Sequence, residues 1–173
     1  MSARLSVSEI LQQKKPVTEI VPIVLDGSLA DKWLEAKQAV ESASEVERQA
    51  AQAALDELRP AVESATTEIE ISAIGRRAYE DLVDKHKPTS QQIAKARKED
   101  PNADIAWNED TFPPALLAAS AIDPLMTQDE ASDLLESDKF NAMEMATLIA
   151  AAIRVNQVNK VVDLGKGSGP IVG

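Results

Sequence analysis

The 173-residue chain carries 29 acidic and 18 basic side chains, a formal net charge of −11, no cysteine and only 3% aromatic residues. The length suits one domain or one and a half and can bury a core, while the negative charge argues against a nucleic-acid backbone as partner and suits a basic one. Lack of cysteine excludes disulfides, thiolate zinc sites and cysteine nucleophiles, no apolar run approaches the about eighteen residues of a membrane-spanning helix, and a core poor in aromatics must rest on Ala, Leu, Ile and Val, which favours closely packed helices.

The start of the chain has no apolar stretch of signal-peptide length and reads as a cytosolic N-terminus. Ser6 with Glu9 forms a capping box and opens a short helix that Pro16 ends. Thr18 to Ser28, "TEIVPIVLDGS", is β-rich. Asp26-Gly27 is its turn, and Pro22 places the strand Ile20–Leu25 at a sheet edge or bulge. From Leu29 the period becomes helical, with Trp33, Leu34, Lys37 and Val40 along one side. Ser44 and Glu47 form a second capping box, so Leu29 to Ser64 reads as two antiparallel helices, the alternative being one long helix. Val46, Ala50, Ala53, Ala54, Leu58, Ala61 and Ala65 would make a narrow alanine seam. Pro60 should kink or shorten the second helix. Thr67–Ala73 alternates with period two and predicts a half-buried strand, pairing antiparallel with Ile20–Leu25.

Everything after Gly75 reads as helix. Arg76 to His86 is the first segment, and Thr89 with Gln92 caps the second. A polar loop around Trp107 leads to "DTFPPALLAASAIDP", Asp110 to Pro124. Prolines are tolerated where the first N–H groups of a helix have no acceptor. Asp110 or Thr111 can cap, and Asp123-Pro124 stops the helix. Thr127 with Glu130 caps the next helix, and Ser137 the last, whose stretch Met143 to Ile153 is apolar over most of its circumference. The fold class expected is α+β, mainly α: a two-stranded antiparallel sheet flanking a helical hairpin, then a C-terminal bundle of short helices. The divisions are 1–16, an N-terminal helical segment; 17–75, strand, hairpin and strand; 76–160, a helical domain; and 161–173, a flexible tail.

Chemistry-bearing groups are sparse. His86, the single histidine, lies between Lys85 and Lys87 and is explained as a cation at a helix C-terminus. Asp104, Glu109 and Asp110 lack calcium-loop spacing and read as a solvated loop. "GKGSG", 165–169, lacks the upstream glycine of a phosphate loop. Arg76-Arg77 reads as solvent-facing charge. No serine has a histidine and an acid placed to activate it, so no catalytic residue, metal or cofactor is expected.

Three stretches carry a resemblance. Arg77, Leu82, His86, Pro88 and Thr89 follow an "R-x-x-x-x-L-x-x-x-H-x-P-T" pattern. Trp107, Asn108, Asp110 to Leu116 and Ala118 to Ser120 follow "W-N-x-D-T-F-P-P-A-L-x-A-A-S". Pro124, Met126, Thr127, Glu130 and Ala131 follow "P-x-M-T-x-x-E-A". Over about Thr66 to Asn156 the chain resembles the tail-assembly chaperones of long-tailed, siphovirus-type actinobacterial phages. It departs at Ala121, where members often carry cysteine. The resemblance implies a non-enzymatic protein of the host cytoplasm, absent from the mature virion. It would hold the tape-measure protein soluble and help recruit tail-tube protein.

Such phages often make a longer product by a −1 ribosomal slip, and Leu164-Gly165-Lys166 can be encoded by a slippery CTG-GGA-AAG. The alternatives are a structural virion protein, such as a tail-completion or connector component, and a bacterial helical adaptor. The helix Thr111–Ala121 is expected to pack on Asn141–Val155 and build an apolar partner-binding groove. Trp107 and Phe112 would stand at its rim, with Leu116, Leu117, Ile122, Met143 and Leu148 within it; the other reading of these residues is plain core. Strand edges and the alanine seam further predict a weak homo-oligomer.

Overall fold

A computed structural model describes residues 4–157; the glycine-rich stretch 165–169 and the Leu164–Lys166 triplet lie outside them. The order is α1 (Val7–Gln13), β1 (Thr18–Val24), α2 (Gly27–Ser42), α3 (Arg48–Ser64), β2 (Thr66–Ser72), α4 (Arg76–Lys85), α5 (Ser90–Glu99), α6 (Phe112–Ser120), β3 (Ala121–Asp123), α7 (Gln128–Glu136) and α8 (Ala142–Gln157). The fold is mixed and mainly helical, as expected. Its sheet, however, has three strands rather than two, antiparallel in the order β1-β2-β3. The helix after the prolines does stop before Pro124. The freed chain then turns extended and pairs with Glu70 and Ile71 across a bulge, in a strand too short to show a period.

β1 and β2 pair from Thr18 opposite Ser72 to Val24 opposite Thr66. The bonds flanking this ladder, Ala73 N–H to Val17 O at 2.9 Å and Leu25 N–H to Ala65 O at 2.8 Å, direct the odd-numbered residues of β1 at β2. The nitrogen of Pro22 therefore faces the outer edge, where a missing donor breaks no ladder bond. Alternation puts Val21, Ile23, Ile69 and Ile71 on one buried face. Asp26 is not part of a turn: its Oδ1 accepts from the Ser28 and Leu29 N–H groups at 2.9 and 3.3 Å and caps α2.

α2 and α3 form the expected hairpin, with the seam in a different register. Leu55 and Val62 are buried and Ala51 and Leu58 half-buried, whereas Val46, Ala50, Ala53, Ala54 and Ala61 are exposed. The larger side chains remove more apolar area from water and so set the rotation of the helix. Glu47 accepts from Ser44 through both its N–H (3.2 Å) and its hydroxyl (2.6 Å), but the Ser44 hydroxyl caps no N–H; the motif closes the interhelical turn. Helix α3 continues through Pro60 to Ser64. Ser137 also differs from expectation: it closes α7, and Asn141 caps α8, accepting from the Met143 and Glu144 N–H groups at 2.9 and 3.0 Å.

α6 packs on α7, on α8 and on β2, and α8 lies along β1 and β2. The resulting core joins Val21, Ile23, Ile69 and Ile71 to Phe112, Leu116, Leu117, Leu148, Ala151, Ala152 and Val155. Residues from both 17–75 and 76–160 thus share one cluster.

Candidate partner-binding site

The prolines after Thr111 stand at the second and third positions of α6, where no donor is missed. Neither Asp110 nor Thr111 caps through its side chain. Asn108 does that work one turn earlier, its Oδ1 accepting from the Asp110 and Thr111 N–H groups at 2.9 and 3.2 Å. The Asn108 N–H donates to the His86 carbonyl at 2.7 Å. His86 Nδ1 and Thr111 Oγ1 are hydrogen-bonded at 2.9 Å, and the Gln92 amide donates to Asn108 Oδ1 (3.2 Å) and Asp110 Oδ2 (3.0 Å). His86 therefore does more than close a helix; it ties the end of α4 to the start of α6.

Three of the chain's five Phe, Tyr and Trp residues meet in this junction. Trp107 stacks on Phe112 with centroids 4.7 Å apart, and Tyr79 meets the same ring edge-on at 6.0 Å. Burial holds the Tyr79 phenol above its ordinary pKa, opposed by the 2.6 Å bond it accepts from Gln157 Nε2. Beside the junction opens a cleft of about 500 Å³ lined by Tyr79, Val83, Ala106 and Trp107, with Glu80, Asp84 and Gln157 around them. Its wall is apolar, and the rim carboxylates Glu80 and Asp84 are paired with Arg76 at 2.8 Å and Lys87 at 3.3 Å. A second cleft, of about 590 Å³, lies between the end of β1 and the turn before α8, lined by Ile23, Leu25, Ala30 and Phe140 with Asp31, Asp138 and Glu144. The first is the better candidate, because it presents a half-exposed tryptophan held rigidly from behind.

α6 and α8 pack together as expected, but they do so as interior. Phe112 is 1% exposed, Leu116 and Leu117 0% and Leu148 1%; these four fill the space between the sheet and the helices and line no open groove. Trp107 alone of the seven reaches a cleft. Ile122 and Met143 are exposed, on β3 and at the start of α8, outside the core. Tyr79 and Val83 were missed, although their spacing of four residues marks one face of a helix. Among the described residues no group of three or more His, Asp or Glu could hold a metal ion, and no helix is long and apolar enough to cross a membrane. Comparison with protein-family models, with curated proteins and with solved structures finds no match.

Proposed function

We propose that this chain is a tail-assembly chaperone of the kind made by long-tailed actinobacterial phages. It binds the tape-measure protein in the host cytoplasm, keeps it soluble, helps bring tail-tube subunits to it and is left out of the virion; it has no catalytic role. The observation that carries the reading is the convergence of the motif residues. His86, Trp107, Asn108, Asp110, Thr111 and Phe112 stand in two stretches of the sequence, yet they bond to or stack on one another in one junction. The residues that carry the resemblance are thus parts of one structural unit in this chain and not scattered positions. The cleft beside it has the chemistry for an amphipathic helix: an aromatic and aliphatic wall with the Glu80–Arg76 and Asp84–Lys87 pairs at the rim.

The test is co-expression with the tape-measure protein, which this reading expects to be a very long coiled-coil chain encoded directly downstream. Ala106 is exposed, so Ala106→Arg fills the cleft without entering the core. The tape measure should be soluble with the parent chain and pelleted with the variant, whose thermal midpoint should be unchanged. A folded variant that still solubilises it rejects the cleft, and a parent chain that never does rejects the chaperone. Detection of the chain in purified virions would favour the structural alternative. The nucleotide sequence from Asp163 onward tests the frameshift.

A further inference from the structure

Two surfaces of the described chain lack a counterpart, and their chemistry matches. The first is α1 with its flanks. Every residue from Arg4 to Pro16 is exposed. Val7, Ile10 and Leu11 form one helical stripe, yet Val7 and Leu11 are each 73% exposed. Leu5 and Ile10 hold the two positions of a hydrophobic staple and are 47% and 49% exposed. A helix this short does not persist by itself in water, and its capping box satisfies only the N-terminal backbone. With Arg4, Lys14 and Lys15 against Glu9, the stretch is net basic in a chain of net charge −11.

The second surface is the face of the sheet turned away from α6 and α8. Across β1 and β2 it presents Ile20 opposite Glu70, Pro22 opposite Glu68 and Val24 opposite Thr66. Ile20 is 55% exposed, and Pro22 and Glu68 are exposed as well. No Lys or Arg occurs in any of the three strands. The face is an apolar strip beside two carboxylates.

We propose that α1 of a second copy covers this face, its Ile10 and Leu11 on Ile20 and Pro22 and its Lys14 and Lys15 beside Glu68 and Glu70. Reciprocal exchange gives a two-fold dimer. The helix belongs to the other copy because its own chain does not hold it. Lys14 is extended (φ −70°, ψ 116°), the proline that follows restricts Lys15 to the extended region, and α1 makes no substantial contact with any other described element, so nothing in the linker turns the helix back onto its own sheet. Direct pairing of β1 edges is a poorer route to a dimer, since Pro22 removes a donor there. This inference does not depend on the chaperone reading.

The lack of cysteine makes the test direct. The full chain carrying Leu11→Cys and Ile20→Cys is oxidised and run without reductant. A band at twice the monomer mass is the expected result. An intrachain disulfide at monomer mass would show that the helix folds onto its own sheet and would overturn the exchange. Sedimentation of the parent chain provides the second arm. Glu68→Lys with Glu70→Lys should weaken the dimer roughly tenfold, and adding Lys14→Glu with Lys15→Glu in the same chain should restore it. A parent chain that stays monomeric across high micromolar concentrations, or a dimer indifferent to both charge reversals, refutes the proposal.

Discussion

At the scale of single residues, several positions that matched the family pattern are explained by what they touch. Ser120 has no exposed surface and accepts a bond from the Asn156 amide at 3.1 Å. The same amide nitrogen donates to the Ala152 carbonyl, and Asn156 Oδ1 accepts the Ile74 N–H at 3.0 Å. One side chain thus joins the end of β2, the end of α6 and α8. Asn156→Ala would leave the Ile74 donor and the Ser120 hydroxyl without this partner and should cost about 1–3 kcal/mol in denaturant unfolding; an unchanged midpoint would show that water replaces it. Thr127 and Glu130 close a reciprocal capping box at α7, and the Thr127 N–H and hydroxyl hold the Glu130 carboxyl below its ordinary pKa. A carboxyl depressed on folding stabilises above its unfolded pKa and loses that contribution as pH falls through the folded value. Glu130→Gln should therefore lower the thermal midpoint at pH 7, with the difference closing as both proteins approach the acid side of the carboxylate range. A difference that persists in acid would mean that the charge is not what matters.

At the scale of elements, period and capping signals made much of the fold legible, and the failures have physical causes. The strands were found because Ile69 and Ile71 alternate with Glu68 and Glu70, and the caps of α1, α5 and α7 because each places its two side chains three residues apart. β3 could not be read, since its three residues depend on pairing with β2. The cap of α8 was set at Ser137 although Asn141 and Glu144 offer the same reciprocal bonds nearer the helix. The seam of α3 was assigned to alanines because their spacing is regular; Leu55 and Val62 bury more and determine the rotation. Of the candidate site, the apolar residues of α6 were visible, but periodicity does not tell core from groove. That distinction depends on the sheet lying behind α6. The corrected register has its own test. Leu55→Lys should open the hairpin, whereas Ala54→Lys, on the exposed side, should change stability by no more than about 0.5 kcal/mol. The reverse order would restore the alanine seam. Leu116→Ala, at the centre of the main core, should cost about 2–5 kcal/mol.

At the scale of the whole molecule, the α2–α3 hairpin stands apart from the principal core. Its buried residues, Leu55 and Val62, do not belong to the cluster formed by the sheet, α6 and α8, and its two helices pack chiefly on each other. A cation–π contact of Arg59 over Trp33 at 5.6 Å lies within the hairpin as well. The hairpin should therefore open more readily than the rest, with amide exchange in α2 and α3 faster than in β2 or α8. The sheet register permits a stronger test. Leu25 and Ala65 face each other where the hairpin leaves the sheet, joined by the Leu25 N–H to Ala65 carbonyl bond. Two residues suffice to connect strands paired in this way, and Asn-Gly has the backbone preference for the turn. A chain in which residues 26–64 are replaced by Asn-Gly should keep β1 paired to β2 and leave the Phe112, Leu116 and Leu148 core closed. It should unfold in one cooperative step, and it should retain the surfaces assigned to the dimer and to the Trp107 cleft. If client binding were lost while the core and the dimer persisted, the hairpin and not the cleft would be the client's contact. A collapsed product without a cooperative transition would show instead that the hairpin braces the sheet, contrary to the separation of the two clusters.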